Sequence, residues 1–303
     1  MKNINQILRT WAMLCLGASS LWAQTISFTF DDGSTRDKPG YTFATWNAML
    51  LEKLKKADVK AMLFVRGRGL QNQRGTQLLK SWDQHGHTIA NHTFTHPNYS
   101  NPKVTVDQFK QELLKNERFI RGYAHFKKFF RFPYLKEGNT PEKVNAFRQF
   151  LKAQGYRNGH VTIDASDWYI DQRLLKRLRQ KQYQDIQKFR AFYLNHIWER
   201  AQFYEKLGFE LTGRHIKHNL LLHHNLCSAL FIDDLIAMFK NKGWKIVSPL
   251  EAYQDPIYRQ TTKYAGESLI YALAKDSGKY QGKLRYPAED SRYEKAKMDA
   301  LGL

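Results

Sequence analysis

Short strand-like segments alternate with longer segments of helical spacing along most of this chain, and this alternation most constrains its fold. Residues 25–30 alternate apolar and polar side chains, as a strand does. Residues 59–65 form a continuous apolar run, which is typical of a buried parallel strand. Further strands are predicted at 88–91, 129–132, 161–163, 220–223 and 245–247, and helices at 44–56, 77–84, 107–122, 141–153 and 227–241. Repeated βα units predict an α/β fold, with a parallel sheet that is open or closed into a barrel and covered by helices.

Two regions depart from this alternation. Residues 170–214 are charged and rich in aromatics, and their spacing predicts one or two amphipathic helices inserted between strands. Residues 256–303 are polar, with one helical patch at 268–274, and we expect this C-terminal extension to pack on the domain. Residues 24–255 are then expected to form the main domain.

Length and composition exclude several classes of protein. Of the 303 residues 42% are hydrophobic, which excludes a disordered chain and suffices for one large domain or two modest ones. The 2 cysteines exclude a disulfide scaffold and a cysteine-rich zinc site. Cys227 is expected to be a small buried residue near a helix start and not a nucleophile.

The N-terminus predicts a secretory signal peptide at residues 1–23. Lys2 and Arg9 precede an apolar stretch at 11–18, and Ala23 is a plausible residue before a cleavage site. A lipoprotein attached through Cys15 and a membrane-anchoring or buried helix are the alternatives. We expect export to the periplasm or the medium, with no transmembrane anchor after cleavage.

The formal charge of +20 would become +18 once Lys2 and Arg9 are removed. Such a charge favours polyanions: nucleic acid, an anionic membrane surface or an acidic polysaccharide. The basic residues are spread out, which is more typical of general steering than of a specific site. Because export makes nucleic acid the least attractive partner, no specific nucleic-acid partner is expected.

Polar clusters follow the predicted strands, where α/β proteins place active sites. Asp31 and Asp32 end the first strand, and one could bind a metal while the other acts as a base. A turn or a helix cap is the ordinary alternative. His92 and His96 are spaced to lie on one face of a helical turn and so to reach one ion, although they could be two surface histidines on a loop. Two histidines and one aspartate leave an open position, as catalytic divalent sites do.

Three further clusters follow later strands. An arginine after a strand can hold a carboxylate with two hydrogen bonds, and the amide after a proline can project toward a ligand. Each of these residues also has an ordinary structural explanation. However, five polar clusters lie at the ends of five predicted strands, and this agreement favours a shared functional site. The residues are Arg131 and Tyr134, Asp167 and Trp168, and Leu221 and His223.

Together these segments resemble the polysaccharide deacetylase (NodB-homology) family, carbohydrate esterase family 4. Its motifs occur in order as Thr29-Phe30-Asp31-Asp32-Gly33, His92-x-x-x-His96, Arg131-x-Pro133-Tyr134, Asp164-x-x-Asp167-Trp168 and Leu221-x-His223. The similarity covers about residues 25–255, and the 170–214 insertion and the tail lie outside the common pattern. The resemblance implies a distorted (β/α) barrel and metal-dependent hydrolysis of acetyl groups on a sugar polymer.

The resemblance also implies a role for each motif residue. Asp32, His92 and His96 would hold one divalent ion, expected to be zinc with cobalt or nickel as alternatives. Asp31 would be the general base and His223 the general acid. Arg131 would orient Asp31, and Asp167 would keep His223 protonated. The backbone N–H of Tyr134 would contact the oxyanion. Trp168 and Leu221 would line an acetyl pocket.

His223 and His224 are adjacent in a strand and so face opposite sides of the sheet, which means that only one of them can point into the site. The family register favours His223. The other histidines are expected to be structural, with His87 the best candidate for contact with site residues.

The sequence thus predicts an exported, metal-dependent deacetylase that acts on a GlcNAc-containing polymer. The expected partner is this acetylated glycan, which the basic charge of the protein would favour if the glycan is anionic. A hydrolase of a small amide or O-acetyl ester, and a non-catalytic glycan- or polyanion-binding protein, are the alternatives.

Overall fold

In the computed structural model, residues 24–284, 288 and 290–303 are described, and the predicted signal peptide at 1–23 lies outside them. The described residues form seven strands: β1 (Thr25–Asp32), β2 (Met62–Val65), β3 (Thr88–Asn91), β4 (Phe126–Phe130), β5 (Arg157–Asn158), β6 (Lys217–His223) and β7 (Lys245–Ile246). They also form ten α-helices: α1 (Phe43–Lys56), α2 (Gln73–Gln84), α3 (Val106–Ile120), α4 (Pro141–Ala153), α5 (Asp167–Arg179), α6 (Ile186–Thr212), α7 (Leu226–Asn241), α8 (Pro249–Ala252), α9 (Leu269–Ser277) and α10 (Arg292–Ala300).

The strands form one parallel sheet in the order β5-β4-β3-β2-β1-β6, with β7 paired to the start of β1. The sheet curls into a half-barrel, which confirms the expected α/β class and distorted (β/α) barrel. The predicted strand at 161–163 is wrong, because Ile163 makes only an isolated bridge to Leu220 of β6. This segment therefore runs between the two edge strands without completing a ladder, and the barrel is distorted there.

The alternation along β1 decides which of its residues can enter a site. Phe28 and Phe30 lie on the face of β1 that packs against the helices. The ring of Phe28 contacts Phe239 of α7 at a centroid distance of 6.1 Å, and that of Phe30 contacts Trp82 of α2 at 5.6 Å. Side chains on the opposite face point into the curl of the sheet. Thr29 lies on that face and donates to the carbonyl of Leu220 at 2.8 Å. Asp31, two residues later, therefore lies inside the carboxyl end of the half-barrel.

The two regions outside the βα alternation are helical. The insertion contains α5 and α6, and α5 begins at Asp167, so a predicted motif lies in the first turn of an inserted helix. The left-handed Gly213, with φ 70°, ends α6. In the C-terminal extension, α9 covers the predicted patch, whereas α10 is absent from the sequence prediction because its apolar periodicity is weak. The helix α10 nevertheless buries Met298 fully.

None of the helices in the described part of the chain combines the length and the apolar character that a membrane crossing requires.

Candidate active site

A pocket of about 570 Å³ opens at the carboxyl ends of the strands. This volume is in the range of small-ligand sites. Eight of the ten predicted site residues line it, while Arg131 and Asp167 are fully buried behind it. The lining residues are Asp31, Asp32, Arg66, His92, His96, Asn98, Tyr134, Leu135, Lys136, Trp168, Leu221 and His223.

One aspartate and two histidines converge on a single point in this pocket. One ligand atom from each of Asp32, His92 and His96 lies within 4.8 Å of the others. The two histidine Nε2 atoms are 3.2 Å apart, and His96 Nε2 is 3.7 Å from Asp32 Oδ1. His92 donates from Nδ1 to the carbonyl of Arg131 at 2.8 Å, which leaves its Nε2 facing the triad.

The environment of the triad suits a divalent cation. Asp32 Oδ1 is buried and has no hydrogen-bond partner among the described residues, so a cation would satisfy an otherwise orphaned oxygen. Burial lowers the pKa of His92 to about 4, and burial together with the charge of His92 lowers the pKa of His96 to about 3. Both imidazoles are therefore neutral at neutral pH, as metal binding requires. These residues fit a divalent metal ion.

The segment from His92 to His96 is a loop, so the predicted helical turn is wrong. Side chains of residues outside the loop accept hydrogen bonds from its backbone. Asn91 Oδ1 accepts from the N–H of Thr93 at 3.0 Å, and Glu112 of α3 accepts from the N–H of Phe94 at 3.0 Å. The two histidines therefore converge because of side-chain contacts to the loop backbone, and helical periodicity has no part in it.

Several residues around the pocket adopt left-handed backbone angles that residues other than glycine rarely adopt. The φ angles are 77° at Asp32, 65° at Thr93, 66° at His96 and 57° at Tyr134. Such conformations cost on the order of 1–3 kcal/mol each and concentrate at functional sites. Their concentration in this pocket indicates that packing elsewhere in the domain holds these side chains in place.

Asp31 lies beside the triad and is paired with a buried arginine. Arg131 Nη1 donates to Asp31 Oδ1 at 2.5 Å, and Asp31 Oδ2 is 3.7 Å from His92 Nε2. Burial raises the pKa of Asp31 even though the charge of Arg131 opposes the rise. The carboxylate is thus oriented by one oxygen and presents the other to the triad.

Arg131 is itself held at every nitrogen. Its Nε donates to the carbonyl of Gly159 at 2.9 Å, its Nη1 also donates to Thr29 Oγ1 at 2.9 Å, and its Nη2 donates to the Tyr253 hydroxyl at 3.3 Å. The guanidinium also lies over the ring of Phe64, 3.8 Å from its centroid. Sequence reasoning did not find Tyr253 or Phe64, since neither adjoins a motif.

His223 lies across the pocket and is bound twice by one carboxylate. Asp167 accepts from His223 Nδ1 at 2.7 Å and from the His223 backbone N–H at 2.8 Å. Burial alone would lower the pKa of His223, but the charge and hydrogen bond of Asp167, with the charges of Asp32 and Asp31, raise it to about 10. The imidazole is therefore protonated at neutral pH and can donate a proton.

The neighbouring histidine faces away from the pocket. His224 is buried, accepts from the N–H of Ser34 at 3.0 Å and contacts Asn47 Oδ1 through Nε2 at 3.0 Å. It therefore holds the turn that follows Asp32. His87 is also buried, and its Nδ1 accepts from the N–H of Ala61 at 3.1 Å, which is a structural contact away from the site.

Three polar lining residues were missed in the sequence. Arg66 directly follows β2, Asn98 lies two residues after His96, and Lys136 lies two residues after Tyr134. Their positions at strand ends and beside motifs were the available signal. As isolated polar residues they form no pattern of their own.

With this geometry in hand, comparison with known proteins is informative. Residues 20–158 match the family model described as polysaccharide deacetylase. Over just under half of its length, the chain is therefore similar to the polysaccharide deacetylase family. The matched range includes Asp31, Asp32, the two triad histidines and Arg131, whereas Asp167 and His223 lie beyond it.

Two curated deacetylases are similar to part of this chain. A stretch of 146 residues is 34% identical to the peptidoglycan-N-acetylglucosamine deacetylase of Bacillus cereus, covering 47% of this chain and 46% of that protein. A stretch of 112 residues is 34% identical to the peptidoglycan-N-acetylmuramic acid deacetylase of Bacillus subtilis, covering 37% of each. The chain thus spans less than half the length of these curated relatives.

Solved structures show the same fold over more of the chain. The chitin deacetylase of Colletotrichum lindemuthianum superposes with a TM-score of 0.53 at 18% identity, covering 76% of this chain and 87% of that one. A mutant of a CE4 family pseudoenzyme with restored enzymatic activity superposes with a TM-score of 0.52 at 21% identity, covering 76% of this chain and 67% of that one. These similarities show that the curled sheet is the deacetylase (β/α) barrel.

Proposed function

We propose that this protein is an exported, metal-dependent hydrolase that removes N-acetyl groups from a GlcNAc-containing polymer such as peptidoglycan, a chitin-type chain or an exopolysaccharide. The observation that carries the proposal is the meeting in one pocket of a metal-ligand triad, an arginine-bound carboxylate and a carboxylate-bound histidine. Binding a glycan requires neither the carboxylate nor the protonated histidine. Hydrolysis uses both.

Asp32, His92 and His96 would hold the divalent ion. Two imidazoles and one carboxylate form a ligand set typical of catalytic zinc, and cobalt or nickel would also suit it. The bound ion would supply Lewis-acid polarisation of the acetyl carbonyl.

Asp31 would act as the general base. Its Oδ1 is bound by Arg131, so Oδ2 is the oxygen that would accept a proton from the attacking water. Its raised pKa brings the carboxylate nearer to neutral pH, where a general base is most effective. Arg131 would keep Oδ2 directed at the triad throughout the reaction.

His223 would act as the general acid. Asp167 occupies its Nδ1, so Nε2 is the nitrogen that would donate a proton to the departing amine. The C–N bond of the acetamide breaks as this proton arrives, which leaves a free amino sugar and acetate. Because an unprotonated amine anion is a very poor leaving group, this proton transfer is essential for N-deacetylation.

The remaining lining residues would select the acetyl group. The side chains of Trp168 and Leu221 would enclose its methyl group, and the backbone N–H of Tyr134 would donate to the developing oxyanion. The open side of the pocket, with Arg66 and Lys136 at its edge, suits one unit of a longer and partly anionic glycan.

The test is acetate release by the purified protein from chitin oligomers, peptidoglycan, a β-linked GlcNAc exopolysaccharide and a small acetyl ester, with and without a chelator. We expect chelator-sensitive release from one of the polymers. Release from the ester alone would favour the small-molecule alternative. One bound metal equivalent with no release from any substrate would favour a glycan-binding protein on a hydrolase fold.

A further inference from the structure

The segment 164–168 follows an irregular, buried path that places Trp168 in the pocket lining and Asp167 directly behind it. Its first three residues lie outside the strands and helices, yet they are almost completely buried. Buried backbone N–H and C=O groups require hydrogen-bond partners. For this segment two such partners come from the insertion helix α6, and the C-terminal segment, residues 288 and 290–303, bonds the side chains.

Helix α6 holds the backbone of this segment at two points. Arg200 Nε donates to the carbonyl of Asp164 at 2.8 Å. The N–H of Ser166 donates to His196 Nε2 at 3.0 Å. Both α6 side chains are buried, so these bonds are shielded from water.

The C-terminal segment holds the side chains of the same residues. The carbonyl of Ala288 accepts from Ser166 Oγ and from the Trp168 indole Nε1, each at 3.1 Å. The N–H of Ala288 donates to Asp164 Oδ2 at 3.3 Å. A pocket-lining tryptophan is thus anchored by a residue 120 positions away in the chain.

One buried pair joins the two supports. His196 Nδ1 lies 3.4 Å from Glu294 Oε1, and both residues are almost completely buried. Because His196 Nε2 accepts a hydrogen bond from Ser166, the ring proton is at Nδ1 and faces the Glu294 carboxylate. A carboxylate in this position fixes the tautomer and the orientation of an imidazole.

We propose that Glu294 is a positioning residue for the pair formed by Asp167 and His223. It orients His196, which holds the N–H of Ser166 and so places Asp167, the next residue, against His223. The insertion and the C-terminal extension, which lie outside the family match, thereby form one support for the proton-donating side of the pocket. The catalytic consequence rests on the proposed function, whereas the structural link does not.

The test compares Glu294→Leu, which removes the acceptor, with Glu294→Gln, which keeps an amide oxygen as acceptor. Glu199→Leu is the control, because Glu199 also joins α6 to the C-terminal segment, through an exposed pair with Lys297 at 2.9 Å, without contacting Ser166. Metal content, kcat and KM are measured on the polymer that the wild type deacetylates. Backbone hydrogen exchange of a peptide covering 164–168 is measured on the same proteins.

We expect Glu294→Leu to lower kcat about tenfold with KM and metal content unchanged, since small misplacements of catalytic groups have effects of this order or larger. Exchange across 164–168 should be faster in that variant alone, and Glu294→Gln should restore most of kcat. Wild-type kcat in a folded Glu294→Leu protein, or equal losses in Glu294→Leu and Glu199→Leu, would overturn the inference.

Two further outcomes remain decisive. If Glu294→Leu does not fold, Glu294→Asp shortens the side chain and draws the carboxylate away from His196, and it should lower kcat a few-fold and speed exchange at 164–168. Wild-type values of both in Glu294→Asp would overturn the inference. If the wild type deacetylates nothing, the proposed function fails, and the exchange difference between Glu294→Leu and Glu199→Leu alone decides the structural link.

Discussion

The two sides of the pocket are built in different ways. The base side consists of Asp31, Asp32, His92, His96 and Arg131, which lie at or just after the carboxyl ends of β1, β3 and β4, inside the range that matches the family model. The acid side consists of Asp167, Trp168, Leu221 and His223, which lie beyond that range; the segment that carries Asp167 and Trp168 is held by α6 and the C-terminal segment, whereas Leu221 and His223 lie in β6.

Because of this difference, the geometry of each side can be changed by mutation separately from that of the other. The base side is ordered by the carboxyl ends of β1, β3 and β4 and by the loop after β3, so its geometry follows mainly from the sheet. The acid side is ordered by contacts from elements that a smaller barrel of the same kind need not contain. Variants on one side should therefore leave the other side intact.

The largest expected effect is on the base side. Asp31→Asn keeps the size of the side chain but removes the proton acceptor, so turnover should fall on the order of a thousandfold, in the range typical of general bases. Metal content should stay at the wild-type level because Asp31 is not in the triad. Acetate release and elemental analysis of the same sample check both. Turnover within tenfold of the wild type would show that another group is the base.

The next effect separates the two sides by substrate. His223→Asn should reduce N-acetyl hydrolysis at least a hundredfold, because an amine leaves only when protonated. Hydrolysis of p-nitrophenyl acetate, whose leaving group needs no proton, should change little in His223→Asn but fall strongly in Asp31→Asn. Equal losses on both substrates in His223→Asn would contradict an acid role.

A third prediction concerns pH. A general acid works below its pKa, so the rate falls as the pH rises through the pKa of His223, which Asp167 helps to raise to about 10. Asp167→Asn removes that charge, so the alkaline limb of kcat should move to lower pH by about one unit or more. The pH–rate profiles of the two proteins check this. An unchanged alkaline limb would assign it to another group.

The smallest expected effect tests the support of the base side. Tyr253→Phe removes the hydroxyl that accepts from Arg131, so the free energy of unfolding in urea should fall by about 1 kcal/mol. The value of kcat should fall only a few-fold, since Arg131 keeps its other bonds. Tyr99→Phe, which removes a bond to the carbonyl of Lys143, is the control with a similar loss of stability and unchanged kcat.

How much the sequence predicts also differs between the two sides. The strands that end at Asp32 or just before His92 and Arg131 were predictable from local patterns, namely the apolar–polar alternation over 25–30 and the short strand-like segments at 88–91 and 129–132. The loop after β3 was mistaken for a helical turn, because spacing alone cannot reveal that Asn91 and Glu112 hold its backbone.

On the acid side, the motif residues were predictable and their supports were not. The bonds of Ala288 to Ser166 and Trp168 join residues about 120 positions apart through a backbone carbonyl, which leaves no pattern in the side-chain sequence. The strand predicted at 161–163 failed for the same reason, since its apolar run is buried by tertiary contacts and not by a sheet ladder.

The central claim is that both sides serve one reaction in one pocket, and a comparison of Asp31→Asn, His223→Asn and the double variant tests it most directly. Acetate release from the N-acetylated polymer is measured for the three proteins and the wild type at equal metal content. Groups that act as a unit show strongly non-additive losses. We therefore expect the double variant to be about as slow as the slower single variant. Losses that multiply in the double variant, or a single variant that keeps the wild-type rate, would contradict the account.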